Sequence, residues 1–226
     1  MEGRIGDSTD AAMKPRRETD LVLLSDLDPT LRIELKLAGR DNPLGRKFYR
    51  GNLAYLRYGT AQKVLAANAS LRERGLGLKI WSAYRPFAVQ EQLFLVFGQN
   101  GDWISDPYEP TGKKTHVRAA AIDCTLVDET GVDLAMPTAY LDFLNSAERM
   151  KQSFNDLPDE VLENRRLLLE TMVAHGMEPY EEEWWHYQDT DWAEYPIIPP
   201  DAIAEVHEAL LVDELLGSDK RSSESS

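Results

Sequence analysis

The sequence predicts an α+β fold, with a central, mainly antiparallel sheet flanked by helices. Two observations carry that expectation. Stretches with strand-like alternation and stretches with helical apolar spacing follow one another along the chain. Neighbouring strand candidates are joined by turns rather than by regular helical crossovers, which favours antiparallel pairing. The length of 226 residues and the hydrophobic share of 42% suit one sizeable domain with its own core.

Residues 1–19 are polar and expected to be disordered, and the globular domain is expected over 20–198. Segment 60–75 reads as a helix: Thr60 is a candidate N-cap, Val64, Leu65 and Leu71 make an apolar stripe, and Gly75 can end it. LGLKIWSAYR, 76–85, reads as a strand, with Leu76, Leu78 and Ile80 alternating against Lys79 and Trp81. Pro86 suits the first turn of a helix closed by Gly98. A Gly- and Pro-containing loop follows from Asn100 to Lys114.

Residues 119–128 read as a strand with Ile122, Cys124 and Leu126 on one face and Ala121, Asp123 and Thr125 on the other. A helix over 159–175 lies between Pro158 and Gly176, and MEPYEEEWWHYQ, 177–188, is aromatic and strand-like. An amphipathic helix is expected over 199–216, and the tail 217–226 is expected to be disordered.

The net charge of −14 argues against nucleic acid or an anionic membrane as a partner. No run approaches the roughly eighteen apolar residues a membrane helix needs. The N-terminus carries no signal-like apolar run, and the one cysteine, Cys124, allows no intrachain disulfide, so the expected setting is the cytoplasm.

Candidate chemistry centres on histidine. Of the four, His175 precedes Gly176 at a helix end, where a cation favours the last carbonyls, and His207 lies in the final helix, where packing or surface roles suffice. His116 ends a loop just before the strand face carrying Asp123, which small alanines line. His186 follows Glu183 by three residues. Two imidazoles and a carboxylate are a common ligand set for a catalytic metal with an open position for water. Read from the residues alone, both pairs are equally readable as satisfied polar groups. An H-E-x-x-H helix and a G-x-S-x-G elbow are absent from the sequence.

Taken together, KTHVRAAAID (114–123), EWWH (183–186), SAYRP (82–86) and NRRLLLETMVAHGMEPYEEEWWHY (164–187) resemble the zinc D-alanyl-D-alanine dipeptidases of the VanX type. Those are relatives of the D-Ala-D-Ala carboxypeptidases and of the Hedgehog signalling domain. The resemblance spans roughly residues 28–196. It implies a Hedgehog/DD-peptidase-like fold and one zinc ion (Zn2+) per chain, held by His116, Asp123 and His186. It also implies Glu183 as general base, Arg85 as oxyanion stabiliser, and Asp142 of YLDF as a carboxylate for the substrate's ammonium group.

Three departures from the family pattern stand out. Lys114 replaces a serine, Ala119 replaces a glycine, and Leu37 replaces a tyrosine bordering the substrate. Lys114 and Leu37 are therefore candidate substrate contacts that alter specificity. The leading expectation is hydrolysis of D-Ala-D-Ala or a closely related small dipeptide, with no nucleic-acid or membrane partner and with a homo-oligomer as one possible assembly. The competing readings are a relative that binds or cleaves a different small cell-wall peptide, and a non-haem iron enzyme, whose ligand set is similar.

One geometric expectation follows. Residues three apart fall on opposite faces of a regular strand. Glu183 and His186 can face one site only if the backbone between them is irregular.

Overall fold

The computed structural model describes residues 16–98, 104–110 and 112–216. Most of the two terminal segments expected to be disordered lies outside the described residues, as do residues 100–103 and 111 of the 100–114 loop. Seven strands are present among the described residues: β1 (Leu21–Leu23), β2 (Arg32–Ile33), β3 (Tyr55–Arg57), β4 (Leu76–Ser82), β5 (Ala121–Asp128), β6 (Met177–Tyr180) and β7 (Glu183–Asp189). Strands β1 and β3 form a small antiparallel pair, and the other five form the main sheet in the order β2-β4-β5-β7-β6. Only β2–β4 is parallel there, so the sheet is mainly antiparallel as expected.

The helices are α1 (Leu24–Leu27), α2 (Tyr58–Arg72), α3 (Phe87–Phe97), α4 (Phe143–Met150), α5 (Asp159–Ala174), α6 (Ala204–Leu210) and α7 (Asp213–Leu216). Helix α2 packs against β4 and α5, and α5 packs against β6. Val64 and Leu71 of α2 enter the core with Leu168 and Met172 of α5. Thr60 is not the cap of α2, because Arg57 holds that position. The Thr60 hydroxyl donates instead to the buried Asp189 carboxylate at 2.7 Å.

Central strand β5 is buried from Ala121 to Val127. Cys124 is fully buried on it, and burial pushes its thiol well above the ordinary range, which suits a core residue rather than a nucleophile. Two sequence expectations change. Segment 177–188 is not one strand but a hairpin, with Glu181 and Glu182 turning the chain between Tyr180 and Glu183. The expected 199–216 helix is broken into a 3-10 turn (Pro200–Ile203), α6 and α7. The break has a physical cause: Leu211 adopts extended backbone and bridges Tyr49, while the Arg50 and Val212 amides donate to Leu210 and Phe48 carbonyls.

His175 caps the end of α5, and its Nε2 lies 2.8 Å from the Ser70 hydroxyl. Gly176 follows with a φ of +79°, a conformation that costs a residue with a Cβ. Gly176→Ala is expected to lower stability by about 1 kcal/mol, measured by urea unfolding. The added Cβ would also press on the Lys63 side chain at 3.3 Å.

Candidate metal centre

The site forms where β5 and β7 run side by side. Asp123 and His186 are direct cross-strand partners, so their side chains emerge on the same face. The other edge of β7 is irregular. Tyr180 pairs with Glu183, but Pro179 pairs with Tyr187, so residues 184–186 are extra relative to β6. The expected irregularity between Glu183 and His186 is therefore present, and both residues line one cavity. A second shift, between Ile80 and Ser82 opposite Cys124 and Asp123, makes Trp81 the extra residue of β4.

The tryptophans fix these bends. Trp184 and Trp185 are fully buried and meet edge to face at 5.5 Å; Trp81 packs on Trp184 at 5.7 Å. The Trp184 indole N–H donates to the Thr138 hydroxyl at 3.0 Å. Aromatic burial thus holds the strand whose polar residues face the cavity.

His116 arrives from a tight turn in which the Arg118 and Ala120 backbone N–H groups donate to the Lys114 and Thr115 carbonyls. Ala119 ends that turn with a φ of +61°, so the chain carries a Cβ where glycine would be unstrained. The His116 Nδ1 lies 2.8 Å from the Ala83 carbonyl oxygen. A carbonyl only accepts, so Nδ1 carries the proton and Nε2 presents its lone pair.

Three ligand atoms converge. Asp123 Oδ1 lies 3.2 Å from His116 Nε2 and 3.1 Å from His186 Nδ1, and the two imidazole nitrogens are 3.2 Å apart. All three residues are buried and form a group able to hold a metal ion. A tetrahedral zinc with bonds of about 2.0 Å separates its ligand atoms by roughly 3.3 Å. The nitrogen and oxygen donors and their spacing fit that ion.

The surrounding charges are set by burial. Burial pushes His116 down to about 4, with the Arg85 charge adding and Asp123 opposing. Burial also drives the Glu183 carboxyl well above its usual range, reinforced by the Asp123 charge and opposed by Arg85. Asp123 is held well below the carboxylate range: burial works against ionisation, but the His116 and His186 imidazoles outweigh it. Arg85 is buried, anchored to Gln90 Oε1 at 3.0 Å, and its Nη2 lies 3.5 Å from Asp123 Oδ2.

The sign for stability follows from His116. Its folded value lies below the ordinary 6.5, so neutral imidazole stabilises the fold above that pH. In a Glu183→Gln background, which removes the opposing carboxyl, the metal-free protein is expected to lose stability as pH falls from 6.5 through about 4, checked by thermal melts in chelator across that window.

A cavity of about 260 Å³ joins these groups, lined by Arg85, Lys114, His116, Asp123, Glu183 and His186 among others. That volume suits a small ligand. Lys114 is 7% exposed and has a φ of +48°. Asp142 does not line this cavity. It lies at the head of α4 in an adjoining one of about 310 Å³, with Leu141 lining both, and accepts a bond from Asn145 Nδ2 at 2.7 Å.

Leu37 is a correction. It is 1% exposed in the core and lines neither cavity, because its 3-10 turn points it inward while its carbonyl accepts the Phe48 and Tyr49 amides. The sequence reading missed Gln90 and Tyr140. A glutamine on the otherwise apolar stretch 87–90 was the available signal for the first. Tyr140 stood inside the quoted YLDF and carried no signal of its own.

Residues 17–207 match the D-ala-D-ala dipeptidase family, Peptidase_M15. The chain is 33% identical over 184 residues to the D-alanyl-D-alanine dipeptidase of Escherichia coli (strain K12), covering 80% of this chain and 90% of that protein. It also shares 14% identity and a TM-score of 0.38 with a crystal structure of a mutant vancomycin-resistance D,D-pentapeptidase, VanY, in complex with Zn(II). That match covers 84% of this chain and 92% of the other.

Proposed function

The chain belongs to the D-Ala-D-Ala dipeptidase family of metallopeptidases, and on that premise we propose that it hydrolyses D-Ala-D-Ala, or a closely related small dipeptide, with one zinc ion per chain. The observation that carries the proposal is the buried His116–Asp123–His186 cluster sharing a cavity with Glu183 and Arg85.

His116 Nε2, Asp123 Oδ1 and His186 Nδ1 would hold the ion. Zinc, when bound, supplies an acidified water and a polarised carbonyl. Glu183 takes the proton from the attacking water and passes it to the leaving amine. Burial raises its carboxyl above the usual carboxylate range, which makes the ionised form a stronger base. Arg85 donates to the carbonyl oxygen as negative charge grows there, and its Nε has no hydrogen-bond partner among the described residues. Asp142 is the proposed anchor for the substrate's ammonium group, and Lys114 for a substrate carboxylate.

A panel of D,D-, L,D- and L,L-dipeptides, with zinc quantified on the same sample, tests this. Hydrolysis of D-Ala-D-Ala or a close analogue is expected. Zinc-loaded protein that cleaves no dipeptide would refute it.

A further inference from the structure

Asp123 has two carboxylate oxygens, and the structure treats them differently. Oδ1 faces both imidazole nitrogens. Oδ2 faces away and accepts the Tyr140 hydroxyl at 2.8 Å, with Arg85 Nη2 more distant at 3.5 Å. Tyr140 itself has little freedom. Its ring sits 5.4 Å from Trp81, the extra residue of β4, and 5.6 Å from Trp185, within the bulged segment of β7. The hydroxyl is therefore aimed by the same two bends that shape the site.

We propose that Tyr140 is a positioning residue. Its hydroxyl fixes the Asp123 carboxylate so that Oδ1 faces the metal position, and it leaves the Arg85 guanidinium free for the substrate carbonyl. The inference rests on the zinc reading above. A hydrogen bond to the far oxygen of a ligating carboxylate fixes its rotation, and loss of such a partner typically weakens metal binding about 10–100-fold. Without Tyr140, Arg85 is the remaining hydrogen-bond neighbour of Oδ2 among the described residues.

The test is zinc affinity measured by chelator competition on the full chain, for wild type, Tyr140→Phe and Tyr187→Phe. Phenylalanine keeps the ring between the two indoles and removes only the hydroxyl. Tyr187 is the matched control, since it is buried on the same strand as His186 and its hydroxyl makes no hydrogen bond to the Asp123 carboxylate. The expected result is a zinc dissociation constant about 10–100-fold higher in Tyr140→Phe, with wild-type affinity in Tyr187→Phe. Far-ultraviolet circular dichroism of the two variants should match the wild type. A merely structural role would lower thermal stability and leave the affinity of the folded protein unchanged. If wild type binds zinc and hydrolyses dipeptide while Tyr140→Phe binds zinc within twofold of it, the positioning role is overturned and the function stands. If wild type itself takes up no zinc, the metal reading falls first and this inference with it.

Discussion

Glu183→Gln is expected to lower turnover by about 10²–10⁴-fold while zinc stays bound, the range general acid–base catalysis supplies. Glutamine keeps the shape of the side chain and cannot accept the water's proton. The same change is expected to stabilise the metal-free protein at neutral pH. Burial and the Asp123 charge raise the folded carboxyl of Glu183, so it adds stability only at low pH and loses it as pH rises through the folded value. Removing the titration removes that loss. Steady-state kinetics and metal analysis on the loaded protein, with thermal melts in chelator, check all three parts. Loss of zinc together with activity would assign Glu183 to the metal rather than to proton transfer.

Asp123→Ala is expected to act twice. It deletes one of three ligand atoms within hydrogen-bonding distance of one another, so zinc content and dipeptide hydrolysis should both fall to background. It also leaves the Arg85 guanidinium buried without its carboxylate. Breaking a buried ion pair by removing one partner costs about 3–5 kcal/mol. Urea unfolding in chelator isolates the second effect from the loss of metal. A variant that keeps full zinc occupancy would exclude Asp123 as a ligand.

Much of the site was legible because its chemistry is carried by residue type and order. His116, Asp123, Glu183 and His186 each sit in a short motif, and the strand period demanded a backbone irregularity between the last two. The bulge at residues 184–186 is that irregularity. The expectations that failed depended on tertiary packing. Leu37, expected from the resemblance to border the substrate, is buried in the core and does not line the cavity. The 199–216 helix has amphipathic spacing, but backbone pairing of Leu211 with Tyr49 outweighs local propensity. Tyr140 was invisible because its role depends on the rotation of one carboxylate, which no spacing encodes.

Zinc anomalous scattering from crystals of the loaded protein tests the central claim most directly. The account predicts one peak per chain, bonded at about 2.0–2.2 Å to His116 Nε2, Asp123 Oδ1 and His186 Nδ1. A zinc-saturated, hydrolytically active protein whose peak lies away from these three atoms would contradict it.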